Sequence, residues 1–246
     1  MKNLKKTNNN ISLFLRSLTF NIMFVFITFL LSITFLPISI FSKKTAIFTG
    51  YMWGQINIFL LKIICKINLE ISGLDNIPKN ENFVIASKHQ STWDTIFFLK
   101  FFINPAYILK KELLYIPLFG QYLMMMGMLY IDRSKGKKSL EKISSEAKKI
   151  IINDKRNLVI FPEGTRTAIN QRTRYKSGIY TIAKNNFCKI IPVALNSGKY
   201  WPKGSFFKYP GTINIHFLPY ISQIDNKDLF MNNLEKSIEE SCRKFE

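Results

Sequence analysis

His89 and Asp94 stand five positions apart in the run Ser87-Lys88-His89-Gln90-Ser91-Thr92-Trp93-Asp94. These residue types can move a proton. A neutral imidazole accepts the proton of an alcohol near cellular pH. A carboxylate accepting from the other ring nitrogen selects the tautomer and stabilises the imidazolium that forms. The pair closely follows an apolar strand-like run, Phe83-Val84-Ile85-Ala86. In a uniform helix, residues five apart lie about 140° out of phase. The pair therefore needs a helix start between its members, with His89 in the loop or first turn and Asp94 inside the helix. Such a pair also arises by chance, so its surroundings must carry the weight.

Three further segments lie at the ends of apolar runs, where α/β sheets place their sites. Gly127-Met128-Leu129-Tyr130-Ile131-Asp132-Arg133 delivers Arg133 at a strand end. Phe161-Pro162-Glu163-Gly164-Thr165-Arg166 sets a proline, a flexible glycine and an arginine after a strand. That composition makes a tight loop able to wrap an anion, and the arginine fork suits phosphate oxygens. Ile191-Pro192-Val193-Ala194-Leu195-Asn196-Ser197 is almost wholly apolar and reads first as a core strand. Ser91 reads as a helix cap rather than a nucleophile. The chain has no Gly-x-Ser-x-Gly elbow. Backbone N–H groups at that helix start are expected to stabilise an oxyanion. His216 reads as a half-buried structural histidine, and no cluster has metal-ligand spacing.

The elements that must position these residues are strands alternating with helices. Leu69–Gly73, Phe83–Ala86, Tyr107–Leu109, Met128–Ile131, Leu158–Phe161, Ile190–Leu195 and Ile213–Phe217 read as strands. Residues 94–102 carry an apolar helical run, and Ser139 is the expected N-cap of a helix with a Leu140, Ile143, Ala147, Ile150 stripe. Asp225–Phe245 reads as a closing helix with Leu234, Ile238 and Cys242 on one stripe. The expected fold class is α/β, a mixed and largely buried sheet flanked by helices.

Residues 17–42 hold no charge, a run of 26. As a helix that is about 39 Å, against roughly 30 Å of hydrocarbon. Pro37 should kink or end it. Residues 45–61 are also uncharged, with Tyr51 and Trp53 as interface aromatics. The favoured reading is a membrane helix pair that enters and returns. A single span or a cleaved signal peptide are its alternatives. Lys2, Lys5, Lys6, Arg16, Lys62 and Lys66 then lie on one side, against Lys43 and Lys44 at the turn. That bias puts both ends in the cytosol, at the inner (cytoplasmic) membrane. The expected organisation is an anchor over 1–68 and a catalytic domain over 69–246.

The net charge is +19 and the pI about 9.8. Residues 1–68 hold eight basic and no acidic residues, and the rest 27 basic and 16 acidic. Such a balance suits an anionic membrane or substrate, although a general lysine bias also contributes. Nucleic acid is disfavoured by the apolar N-terminus and the lack of a basic helix or aromatic RNA signature. Cys65, Cys188 and Cys242 match no zinc or redox spacing and read as buried free thiols.

Taken together, the four segments resemble those of the glycerolipid acyltransferases, specifically the 1-acyl-glycerol-3-phosphate acyltransferases. The resemblance covers about residues 70–220, in the family's order, with Phe161–Arg166 matching one block letter for letter. The Leu109-Lys110-Lys111-Glu112-Leu113 stretch resembles the family's lysine-bearing segment. The resemblance implies that His89 is a general base on a lysophospholipid hydroxyl and that Asp94 holds its ring. It implies that Glu163, Gly164, Thr165 and Arg166 bind the phosphoglycerol part, with Arg133 and Lys110 adding positive charge. Pro192 and its strand would support the acyl region. The donor would be an acyl thioester of acyl carrier protein or coenzyme A, with no cofactor. Lys88 departs from the asparagine of many members. The alternatives are the same chemistry on another lipid acceptor, a hydrolase, or a non-catalytic membrane lipid-binding protein.

Overall fold

The computed structural model describes residues 2–132, 136–185, 187–221, 224 and 226–245, and the side chains of all of these except 2–9 and 136–139. Seven strands form one sheet: β1 (Ile67–Ser72), β2 (Val84–Ser87), β3 (Ala106–Lys110), β4 (Leu129–Ile131), β5 (Leu158–Ile160), β6 (Ile190–Leu195) and β7 (Gly211–Phe217). Their spatial order is β1-β7-β6-β2-β5-β3-β4. Strands β6, β2, β5, β3 and β4 run parallel, and β7 turns antiparallel to β6. The sheet is thus mixed, as expected.

Strands buried on both faces read as continuous apolar runs. The pleat sends alternate residues to opposite faces. Ile85, Val159, Ile191 and Val193 join one core with α2 (Lys43–Cys65) and α3 (Thr92–Phe101). Val84, Ala86, Leu158 and Ala194 join the other, under α5 (Gly136–Lys148), α6 (Gly178–Ala183) and α7 (Lys227–Arg243). Trp93, Ile96, Phe97 and Phe98 of α3 are all buried. Truncating one such ring costs about 3–5 kcal/mol.

Helix α1 (Lys2–Ser39) carries Pro37 near its end and stops two residues later. Ser42 then caps α2, its Oγ accepting from the Thr45 N–H at 3.3 Å. At Gly54 a Cβ would meet the Ile96 carbonyl and the Lys100 nitrogen, each at 3.2 Å. Glycine there lets α2 lie close against α3. The helix pair also lies along the sheet-bearing unit for much of its length. Ser17 accepts from the Lys208 N–H at 3.0 Å, Tyr122 donates to the Ser32 carbonyl at 3.1 Å, and Lys43 reaches Asp154 at 4.0 Å. The outer stripe of α1, including Ile11, Leu15, Ile22, Phe26, Phe29 and Ile33, faces outward. Asn10–Ser39 and Lys43–Cys65 are both long and apolar enough to cross a membrane. These two helices suggest membrane association.

Some local expectations differ from the structure. The fifth helix starts at Gly136, so Ser139 lies inside its first turn rather than before it. It runs on into a π-helical turn, Lys149–Asn153. Helix α4 (Phe119–Met125) and helix α6 have no counterpart in the sequence reading. They are seven and six residues long, too short to display a 3.6-residue period. Asp225 lies outside the described residues, and α7 begins at Lys227 with Asn226 as its cap.

Candidate active site

The parallel strands end at one edge of the sheet, and β2 lies at its centre, between β5 and β6. His89 sits in the loop after β2, and Asp94 lies in the first turn of α3. The His89 Nδ1 donates to Asp94 Oδ2 at 2.9 Å. The same oxygen accepts from the Gln90 N–H at 2.7 Å and the Ser91 N–H at 2.9 Å. Ser197 Oγ donates to Asp94 Oδ1. Four donors therefore converge on one buried carboxylate, which has lone pairs for all of them. The ring itself stacks on Phe161, with centroids 3.8 Å apart and planes 14° from parallel. One face and one nitrogen are thus fixed. Nε2 is the nitrogen left for a substrate, on a side chain 14% exposed.

Ser91 caps α3, its Oγ accepting from the Trp93 N–H at 3.1 Å. This narrows the oxyanion expectation. The N–H groups of Gln90, Ser91 and Trp93 are already committed to Asp94 and Ser91. An oxyanion cannot use those of Gln90 and Ser91 without breaking the brace on His89.

The loop after β5 closes under the histidine. The Gly164 N–H donates to the Phe161 carbonyl at 2.9 Å, and Gly164 has φ +70°, where a side chain is strained. The Thr167 N–H donates to the His89 carbonyl at 2.8 Å, and Thr167 Oγ1 donates to Glu163 Oε2 at 3.1 Å. Arg166 Nη1 donates to Thr92 Oγ1 at 2.6 Å, which places the guanidinium at the start of α3. Thr165 is exposed. Glu163 differs from the expected substrate contact: its side chain is fully buried and ion-pairs with Lys88 at 2.8 Å. A carboxylate in that position cannot touch an acceptor. Burial pushes it up to about 7, against the pull of Lys88. For Lys88, burial works to lower the pKa, and the Glu163 and Glu239 carboxylates outweigh it, leaving a net rise.

Lys110 ends β3 and is exposed, two strands from β2 and so roughly 10 Å to the side. Arg133 follows β4 and lies outside the described residues. Pro192 is buried mid-strand in β6, beside Ala86, and its carbonyl accepts from Leu218 at 2.9 Å. Two small cavities, about 140 and 200 Å³, lie between α7 and residues 169–172, and His89 lines neither. His216 of β7 shares a hydrogen bond at Nδ1 with Ser72 Oγ of β1 at 2.7 Å. Among the described residues no group of acidic, histidine and cysteine side chains could hold a metal.

Ser197, Thr167 and Glu239 were not singled out from sequence. Ser197 was visible as the last residue of an apolar run, but an isolated serine after a strand carries no signal of its partner.

Residues 68–196, more than half of the chain, match the family model described as Acyltransferase. The chain belongs to the acyltransferase family. It is 39% identical over 163 residues to the 1-acyl-sn-glycerol-3-phosphate acyltransferase of Pseudomonas aeruginosa, covering 66% of this chain and 63% of that protein. The chain thus spans less than two thirds of the length of that relative. It is 29% identical over 184 residues to the same-named protein of Borreliella burgdorferi, covering 74% and 72%. The crystal structure of the 1-acyl-sn-glycerophosphate (LPA) acyltransferase of Thermotoga maritima superposes with a TM-score of 0.77 at 21% identity, over 96% of this chain and 97% of that one. That match establishes the fold of this chain, including its helix pair.

Proposed function

We propose that this acyltransferase moves an acyl group from a thioester to the sn-2 hydroxyl of 1-acylglycerol 3-phosphate, giving phosphatidic acid for phospholipid synthesis. The observation that carries the reading is the His89 ring, held by Asp94 through Nδ1 so that Nε2 is the basic nitrogen. Nε2 takes the hydroxyl proton as the oxygen attacks the thioester carbonyl. The C–S bond then breaks, and the imidazolium returns its proton to the departing thiolate. A thioester is already activated, so no enzyme nucleophile is required. The co-substrate is acyl carrier protein or coenzyme A carrying the acyl chain, and the reaction needs no further cofactor.

Arg166, Lys110 and Arg133 supply positive charge for the acceptor phosphate, and Gly164 and Thr165 shape the loop around it. Glu163 acts at one remove, through Thr167. Pro192 supports the sheet beside the acyl region. Residues 1–68 serve as the anchor and 69–246 as the catalytic part. The apolar outer stripe of α1 rests in lipid, at the inner (cytoplasmic) membrane with the catalytic part facing the cytoplasm. The lysine bias toward the ends of the helix pair supports that side.

The test is turnover by purified protein with lysophosphatidate and each acyl donor in mixed vesicles, products read by mass spectrometry. Phosphatidate from the wild type and none from His89→Ala, with vesicle binding equal in both, is the expected result. Full turnover in His89→Ala, or release of free fatty acid alone, overturns the reading. A panel with glycerol 3-phosphate and other lysophospholipids separates the acceptors.

A further inference from the structure

Lys88 immediately precedes the histidine, yet its side chain is 3% exposed. Its Nζ lies 2.8 Å from Glu163 Oε1 and 2.7 Å from Glu239 Oε1. Glu239 belongs to α7, beyond the residues that match the family model. A continuous polar chain therefore runs from α7 to the loop that carries His89. It passes from Glu239 to Lys88, to Glu163, to Thr167 and to the His89 carbonyl. Tyr175 donates to Glu239 Oε1 at 3.0 Å, which anchors the far end.

Two carboxylates sharing one ammonium, Glu163 buried and Glu239 half-buried, repel unless a cation sits between them. A neutral side chain at position 88 could not neutralise them. Lysine at 88 and glutamate at 239 thus form a matched pair. We propose that Lys88 and Glu239 are positioning residues, which tie α7 to the loop after β5 and so hold Thr167 against the His89 carbonyl. This rests on His89 being the base of the proposed reaction. Removing the tie lets the loop shift by a fraction of an ångström, which costs turnover rather than acceptor binding.

The ionised form of Glu163 is the one that holds Lys88 and accepts from Thr167. Lys88, Glu239, Tyr175 and Cys242 are the titratable groups around it, from the loop after β2, α7 and the segment before α6. Taking away the cation makes Glu163 harder to ionise, and taking away Glu239 makes it easier.

The experiment measures kcat and acceptor KM against pH for wild type, Lys88→Asn, Glu239→Gln and Glu239→Ala, beside thermal melts. Lys88→Asn and Glu239→Ala are expected to lose about 10- to 100-fold in kcat with KM within about threefold. Glu239→Gln, which still accepts from Lys88, should recover most of the loss. The acidic limb of kcat should move to higher pH in Lys88→Asn and to lower pH in Glu239→Gln. If Lys88→Asn does not fold, the two Glu239 variants decide, because that side chain is 17% exposed against 3% for Lys88. Unchanged kcat in Glu239→Ala overturns the proposal. So does a fall in melting temperature with unmoved pH limbs, which assigns the pair to stability alone. An inactive wild type overturns the proposed function instead, so the two failures are distinct.

Discussion

Replacing Asp94 by asparagine separates charge from geometry at this site. Oδ2 accepts from His89 Nδ1, Gln90 N–H and Ser91 N–H, so the amide oxygen takes that position. The amide NH₂ then faces Ser197, whose hydroxyl can rotate to accept. The brace and the tautomer survive, while the negative charge is lost. As the imidazole becomes imidazolium, a carboxylate at 2.9 Å attracts it by about 6 kcal/mol at an effective dielectric of 20. With each decade of rate worth about 1.36 kcal/mol, that bounds the loss at about four decades. A proton half transferred in the transition state gives about two. The expected loss in kcat is therefore about 10²- to 10⁴-fold. Acceptor KM should stay nearly constant, because the lost attraction acts on charge that develops only in the transition state. The assay is thiol release from the acyl thioester in lysophosphatidate vesicles, with a melt to show that the fold persists. Turnover within about threefold of wild type would refute a charge-stabilised base. Asp94→Ala is the poorer probe, since it strands three other buried donors at about 1–3 kcal/mol each.

Arg166→Ala should raise the acceptor KM about 10-fold or more by removing a phosphate contact, and unchanged kinetics would count against that role. Gly164→Ala forces a side chain to φ +70° and should cost about 1–2 kcal/mol of stability, read by denaturant unfolding. Glu163 is raised from its unfolded value to about 7, so its stabilising proton is fully held below the unfolded value and lost as pH rises through about 7. The melting temperature of Glu163→Gln should therefore gain on that of wild type between pH 5 and 8, and a constant difference would contradict the burial effect. Burial pushes the Cys188 and Cys242 thiols up to about 12. Both should resist thiol reagents in the native protein and react once it is denatured.

The sequence carried the sheet well because parallel strands buried on both faces must be apolar throughout. Val84–Ala86, Leu158–Ile160 and Ile190–Leu195 are legible for that reason. The closing helix showed its stripe because 17 residues give several turns of period. The short helices α4 and α6 left no such trace. The oxyanion expectation was narrowed for a local reason: a capping carboxylate that also orients a histidine consumes N–H groups it sits among.

By itself, the sequence determined the alternating α/β class, the apolar helix pair, and a histidine and aspartate divided by a helix start. Those follow from residue type and spacing along the chain, which short-range sterics and burial translate directly. The tertiary structure alone decided which distant groups meet them. Ser197 reaches Asp94 across 103 positions, and Glu239 reaches Lys88 across 151. Such partners are chosen by strand order and helix packing, and no local pattern encodes them. That is also why the matching block led to Glu163 being expected to touch substrate, while its buried place beside Lys88 is visible only in the fold.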